Sequence, residues 1–129
     1  MTNIVKNSYG FFEINPKPTR EKLTDYYSKK YYQDPKGQYQ KSYNDDEVKF
    51  FSNKAKVALK TIRQTNSSAK SLFEIGCGEG FFADYLYKNN ITEIELNDFS
   101  DFGLKHFHPH LLKFLKQLDA YEHIEEAIN

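Results

Sequence analysis

The sequence predicts an α/β protein built on a Rossmann-like parallel sheet, partial at about three strands, with an N-terminal helical cap. Three short segments, at 71–75, 91–97 and 115–118, have the length and patterning of strands. A glycine-rich turn at 76–80 and stretches with helical spacing of apolar residues separate them. Strands that alternate with helices indicate a parallel sheet, because parallel neighbours need a long crossover.

The first third of the chain is rich in tyrosine. Residues 1–18 contain Gly10, Pro16 and Pro18 with little periodicity, which favours an extended or loosely ordered arm. Thr19 is placed to cap a helix that runs to about Tyr32, with aromatic residues at helical spacing. The segment at 34–37, with its proline and glycine, is typical of a turn.

A long amphipathic helix is expected next. Asn44 and Glu47 have the spacing of a capping box at its start. Its apolar stripe consists of Val48, Phe51, Ala55, Leu59 and Ile62. The polar segment at 64–70 then separates two predicted units, an arm and helical cap at 1–66 and a unit at 67–129 that contains the glycine-rich turn.

The second unit should contain four helical segments. The first begins after the glycine turn, with Phe82 and Leu86 on its apolar face, and ends near Asn89. Ser100 is suited to cap a short helix at 101–106. The other two are expected at 109–114, where proline occupies the first turn, and at 121–128.

Charge and targeting signals limit the partners and the compartment. The 18 basic residues balance the 18 acidic ones, so no global field favours nucleic acid or an anionic membrane. No signal peptide or membrane-spanning run is evident, and we expect a cytoplasmic protein. Cys77 is the single cysteine, which excludes an internal disulfide and fits a reducing compartment.

The glycine turn carries the strongest functional signal. Gly76, Gly78 and Gly80 alternate, and Glu74 stands two positions before the first of them. Glycines at a first strand-to-helix turn let the backbone approach a ligand closely. The dinucleotide fingerprint is G-x-G-x-x-G, so the third glycine here comes one residue early. An NAD-dependent oxidoreductase is therefore the less favoured alternative.

This turn resembles motif I of class I S-adenosylmethionine-dependent methyltransferases. The resemblance implies that the unit at 67–129 is the cofactor-binding half of such a domain. The resemblance implies that Glu74 holds the methionine end of the cofactor through its amino group. It also implies that Asp98, after the second strand, binds both ribose hydroxyls, and that Asp119, after the third, meets the adenine amino group. Leu118 would offer the ring a backbone contact. The expected cofactor-binding residues around these positions are Glu74, Gly76, Cys77, Gly78, Gly80, Asp98, Phe99 and Asp119.

The N-terminal third is similar to methyltransferases from bacterial surface-polysaccharide gene clusters. The resemblance rests on Pro16-Lys17-Pro18-Thr19 and on the tyrosines that follow it. It implies that the leading helices cap the cofactor pocket and that one or more of Tyr27, Tyr32 and Tyr43 contact the ligands. The acceptor would be a small molecule or a saccharide.

Structural alternatives stay open for several of these residues. Asp98 and Asp119 are also placed to cap helices, and tyrosines pack more often than they bind. The three histidines at 106, 108 and 110 stand at every second position, a spacing compatible with metal ligands. Pro109 interrupts any regular element there, so we expect no metal site.

The 59 residues after Lys70 supply about two strand-helix units and a third strand. The resemblance implies a larger sheet, so we expect a chain truncated after its third strand, or one that a homodimer or partner chain completes. No catalytic base is assigned. A non-catalytic module that binds S-adenosylmethionine or S-adenosylhomocysteine, or only a protein partner, is the main alternative.

Overall fold

The computed structural model describes residues 3–32, 34 and 41–128, and the chain is an α/β protein. Its central sheet has three parallel strands in the order β3-β4-β5. These strands are β3 (Ser71–Ile75), β4 (Glu93–Asn97) and β5 (Leu115–Lys116). The architecture confirms the predicted fold class, a partial Rossmann-like sheet of about three strands.

The N-terminal arm forms a hairpin. Strands β1 (Asn3–Lys6) and β2 (Phe12–Asn15) pair antiparallel. The side chain of Asn7 organises the turn by accepting hydrogen bonds from the backbone N–H groups of Tyr9 and Phe11, both at 3.0 Å. The sequence predicted only an extended or loose arm, because both strands are largely exposed and lack the alternation that burial imposes.

The helical cap begins where the sequence predicts. Thr19 caps α1 (Arg20–Asp25) by accepting a hydrogen bond from the N–H of Lys22. The chain then widens into a π-helix at Tyr26–Tyr31, so the predicted helix is one continuous segment of two helix types. Asp34 is described, but most of the turn predicted at 34–37 lies outside the described residues.

The long helix α2 (Asp45–Thr65) starts with the predicted capping box. The Asn44 side chain accepts from the N–H of Glu47 at 2.9 Å, and the Glu47 carboxylate accepts from the N–H of Asn44 at 2.9 Å. Ala55 and Leu59 are buried in a cluster that contains Leu86 and Ile91 of the sheet unit. The cap and the sheet unit therefore share a hydrophobic core.

Helices on the sheet complete the fold. Between β3 and β4 lies α3 (Phe81–Lys88); between β4 and β5 lie α4 (Phe102–Phe107) and a 3₁₀ helix at Pro109–Phe114; α5 (Ala120–Ile128) follows β5. The segment at 109–114 is thus 3₁₀ rather than α-helical, and β5 is shorter than predicted. The main core consists of Cys77, Ala83, Ile94, Leu96, Leu104 and Leu111.

No helix among the described residues has both the length and the apolar character needed to cross a bilayer.

Candidate nucleotide-cofactor site

The glycine loop connects β3 to α3 at the carboxyl ends of the strands. The N–H groups of Gly76 and Cys77 both donate to the carbonyl of Asn97, at 2.8 and 2.9 Å, so the loop is fastened to the end of β4. Gly76 has a φ of 70°, and a Cβ on it would meet no atom within 4 Å. At this position the backbone therefore faces open space, as close approach to a ligand requires.

Gly103 fixes the other side of the loop. A Cβ on this residue of α4 would lie 2.5 Å from the carbonyl oxygen of Gly78 and 2.8 Å from its carbonyl carbon. Both atoms belong to backbone and have little freedom to move. Only glycine permits this approach, so the conformation of the loop depends on α4.

A cavity of about 380 Å³ opens beside the loop, within the size range of small-molecule sites. Its described lining residues include two carboxylates, from Asp98 and Glu79, and none of them is lysine, arginine or histidine. The described lining residues are Tyr27, Tyr31, Tyr32, Ile75, Gly76, Gly78, Glu79, Asn97, Asp98, Phe99 and Ala120. The cavity is therefore suited to a ligand that is partly aromatic and carries hydroxyls or positive charge.

Asp98 lies in this cavity with a fixed orientation. One carboxylate oxygen accepts from the N–H of Gly78 at 2.9 Å, and the other accepts from the N–H of Ser100 at 3.0 Å. Each carboxylate oxygen has room for about two hydrogen bonds, so one acceptor position on each remains beyond these contacts. Two neighbouring acceptors match the two hydroxyls of a ribose.

Aromatic side chains form the roof of the cavity. Tyr27 stacks on Phe99 with ring centroids 5.7 Å apart and planes within 9° of parallel. Tyr32 is buried and stacks on Phe102 at 5.6 Å. The stack of Tyr27 on Phe99 is too close to admit a base between the rings, since that would need about 7 Å, twice the contact distance of carbon atoms. These contacts therefore hold the cap onto the sheet.

Glu74 lines a second cavity, of about 220 Å³, together with Cys77, Glu79 and one basic residue, Lys54. One oxygen of the Glu74 carboxylate is buried and accepts no hydrogen bond from any described residue. Burial raises the pKa of Glu74 to about 7, because the charged form loses its hydration. Burial, with help from Asp98 and Glu74, raises the pKa of Cys77 to about 12, so its thiol stays protonated.

Glu79 belongs to both cavities. The hydroxyl of Tyr43 donates to its carboxylate at 2.8 Å, and the Nδ1 of His108 donates to its backbone carbonyl at 2.6 Å. The opposite nitrogen of His108 lies 3.6 Å from the buried carboxylate of Asp84. Residues from distant parts of the chain thus hold Glu79 between the two cavities.

The remaining predicted residues lie around the site. Asp119 accepts from the N–H of Tyr121 at 2.9 Å and so caps α5, while its neighbour Ala120 lines the larger cavity. The adenine contact of Asp119 stays a prediction. The carbonyl of Leu118 accepts a hydrogen bond from the Asn97 side chain at 2.9 Å.

Of the three histidines, His108 and His110 both approach Asp84, whereas His106 contacts a different part of the chain. His106 contacts the carbonyl of Lys41, His108 contacts Glu79, and the Nε2 of His110 lies 2.9 Å from Asp84. Within the part of the chain that the structure describes, no group of three His, Cys, Asp or Glu residues is arranged to hold a metal ion.

Sequence reasoning missed several residues of the site. No specific pattern in the sequence indicated Glu79 or Asn97, because one lies between two glycines of the loop and the other ends a strand. Gly103 offered a usable signal, since an isolated glycine within a helical pattern often marks a close packing contact. Ala120 could be inferred only from its position after Asp119.

The geometry places carboxylates, aromatic rings and open glycine backbone around one cavity at the carboxyl ends of β3 and β4, where ligands collect in open α/β sheets. A smaller cavity adjoins the same loop and contains a carboxylate oxygen that has no hydrogen-bond partner in the described part of the chain. This arrangement can bind a nucleoside and a nearby cation. Neither a scan against protein-family models nor comparisons with curated proteins and with solved structures gives a match for this chain.

Proposed function

We propose that this chain binds S-adenosylmethionine and serves methyl transfer to a small-molecule or saccharide acceptor. The observation that carries the proposal is the larger cavity, in which Asp98 follows β4, glycine backbone forms the floor and no described lining residue is basic. S-adenosylmethionine is a nucleoside with a positively charged sulfonium and no phosphate. A pyrophosphate would instead be repelled by Asp98 and Glu79.

In this proposal Asp98 receives the ribose. Its carboxylate is oriented in advance by Gly78 and Ser100, and it keeps one acceptor position on each oxygen. Charge-assisted hydrogen bonds of this kind are stronger than neutral ones. Gly76, where a Cβ would meet nothing within 4 Å, leaves room for the ligand to lie against the backbone.

Glu74 receives the ammonium of the amino-acid end. Its buried oxygen has no partner among the described residues, and a cation would compensate the cost of ionising it. Because Glu74 lines the smaller cavity, the amino-acid end would have to extend from the larger one past Glu79, which lines both. Glu79 adds a second negative charge near that path.

When bound, the cofactor supplies a methyl group that its sulfonium makes electrophilic. The residues of this chain bind and orient it, and the aromatic roof formed by Tyr27, Tyr32 and Phe99 restricts water. Activation of the acceptor is not assigned to a residue of this chain.

Titration calorimetry with S-adenosylhomocysteine and NAD in parallel tests the proposal. We expect S-adenosylhomocysteine to bind and NAD to bind weakly or not at all. Binding of NAD alone would overturn the proposal in favour of an oxidoreductase, and binding of neither would favour a protein-interaction module. Binding of S-adenosylhomocysteine without methyl transfer to any acceptor tried would favour the non-catalytic binding module.

A further inference from the structure

Helix α2 carries a strong local charge on a chain whose net charge is zero. Its three acidic residues are confined to the first turn, at 45–47, where they favour the helix N-terminus. From Val48 to Thr65 the helix has no further acidic residue. The same stretch contains five basic residues, namely Lys49, Lys54, Lys56, Lys60 and Arg63.

These cations are not used to bind carboxylates of the fold. None of the ion pairs formed by the described residues involves a basic residue of α2, although six other Lys and Arg side chains form such pairs. Arg63 donates to the carbonyl of Asn89, and Lys54 lies 5.4 Å from the ring centroid of Phe50. No ion pair among the described residues therefore neutralises the charge of the helix, and of its five cations only Lys54 also lines the smaller cavity beside the glycine loop.

The cations follow one line along the helix. Lys49, Lys56, Lys60 and Arg63 are separated by seven, four and three residues, the spacings that place side chains on one stripe of an α-helix. Lys56, Lys60 and Arg63 also line a groove of about 460 Å³ between α2 and α3. The groove gives an anionic group a place to contact three cations together.

Exposed apolar side chains accompany the stripe. Phe50 is 59% exposed and Val57 is 67% exposed, seven residues apart on the same outer face. A helix that needs only solubility mixes charges of both signs and hides such residues. Large apolar side chains among unpaired lysines are typical of a helix that lies on an anionic membrane surface.

We propose that the outer face of α2 binds the surface of a membrane containing anionic phospholipids. The cations of the stripe contact lipid phosphates while Phe50 and Val57 enter the boundary between headgroups and acyl chains. A nucleic acid would meet the same charges but would leave these two apolar side chains without a role. The proposal does not depend on the proposed methyl transfer, because the groove lined by Lys56, Lys60 and Arg63 shares no described lining residue with the two cavities beside the glycine loop.

Co-sedimentation of the full chain with vesicles tests the proposal. We expect binding to vesicles of phosphatidylcholine mixed with phosphatidylglycerol, little binding to vesicles of phosphatidylcholine alone, and a loss of binding as salt is added. A parallel titration with duplex DNA separates lipid from nucleic acid. Binding to DNA but not to vesicles, or equal binding to both vesicle types, would overturn the proposal.

Two variants separate the contributions. Lys56→Gln/Lys60→Gln removes two charges, and we expect roughly tenfold weaker partition into the anionic vesicles. Phe50→Gln/Val57→Gln keeps every charge and should also weaken binding severalfold, which simple electrostatic adhesion would not require.

The matched control is Lys22→Gln/Lys70→Gln, which removes two exposed lysines that lie outside α2. It should bind like the parent chain, and an equal loss in the control would overturn the assignment to α2. All variants should still bind S-adenosylhomocysteine if the proposed cofactor site is right. A failure of the cofactor site in the parent chain would leave the vesicle result standing on its own.

Discussion

Asp98 is both a predicted ligand-binding residue and a residue that holds the backbone of the glycine loop. Its carboxylate accepts hydrogen bonds from the N–H groups of Gly78 and Ser100, so the same side chain shapes the loop and lines the larger cavity. Asp98 does not cap α4, whose N-cap residue is Asp101. The backbone contacts of Asp98 are nevertheless compatible with a ligand role, because four acceptor positions serve two backbone donors and leave two for a ligand.

Replacing Asp98 should affect binding and stability together. We expect Asp98→Ala to lower the free energy of unfolding by about 1–3 kcal/mol, since two partly buried N–H groups lose their acceptor. It should also abolish measurable binding of S-adenosylhomocysteine by calorimetry. Asp98→Asn, which keeps one carbonyl acceptor, should fold better than the alanine variant but bind weakly. Full binding by Asp98→Ala would contradict the ribose role.

Glu74 should make both stability and binding depend on pH. Burial raises its pKa from 4.5 to about 7, so the folded chain holds this proton more tightly than the unfolded chain. The Glu74 contribution to the free energy of unfolding therefore falls as pH rises from about 4.5 to 7. Melting curves across this window should show that fall in the parent chain and not in Glu74→Gln.

Binding should change with pH in the opposite direction. If Glu74 receives an ammonium, the affinity for S-adenosylhomocysteine should increase as pH rises through about 7, with release of a proton on binding below that value. Calorimetry in two buffers of different ionisation enthalpy measures that proton. An unchanged pH dependence in Glu74→Gln would assign the effect to another group.

Helix α4 is distant from the glycine loop in sequence, yet it constrains the conformation of the loop. Its Gly103 lies against the backbone of Gly78, and its Leu104 would lie 2.4 Å from a Cβ on Gly80. The glycines of the loop therefore have two different structural roles. Gly76 leaves space for a ligand, whereas Gly80 leaves space for the core.

We expect Gly103→Ala to disturb the loop. Helix propensity alone would make this change stabilising by about 1 kcal/mol. The added Cβ, 2.5 Å from the Gly78 carbonyl oxygen, should reverse the sign and destabilise the chain by about 1–3 kcal/mol. Thermal melts and S-adenosylhomocysteine titrations measure the two effects. A higher melting temperature with intact binding would show that α4 yields without moving the loop.

At the scale of the whole molecule, the described part of the chain leaves one edge of the central sheet without a neighbouring strand. Strand order places β3 at one edge, and among residues 3–32, 34 and 41–128 no strand pairs with its outer side. Phe73 and Ile75 of this strand are 41% and 46% exposed. An unpaired edge with apolar side chains is a template for pairing with another chain.

We therefore expect the chain to self-associate through β3. Sedimentation velocity over a range of concentrations should show dimers or larger species. Phe73→Lys should shift the chain toward monomer, because a charged side chain on an edge strand opposes strand pairing. Ile4→Lys, in the exposed β1 strand, is the matched control. A parent chain that remains monomeric at all concentrations would show that the edge is protected.

The sequence by itself determined features that depend on neighbouring residues. The strand at 71–75, the glycine loop and the capping box of Asn44 and Glu47 follow from local backbone preferences, and the structure has each of them as predicted. The end of β5 and the 3₁₀ segment at 109–114 were less predictable, because tertiary packing decides between helix types and strand lengths.

Tertiary structure alone decided how the site is divided. It placed Asp98 in one cavity and Glu74 in another, with Glu79 between them, and it brought Gly103 against the loop. These relations join segments far apart in sequence, so no local pattern encodes them. Local preferences fix where the backbone turns, whereas burial and distance, which set the pKa of Glu74 and the space beside Gly76, exist only once the chain has packed.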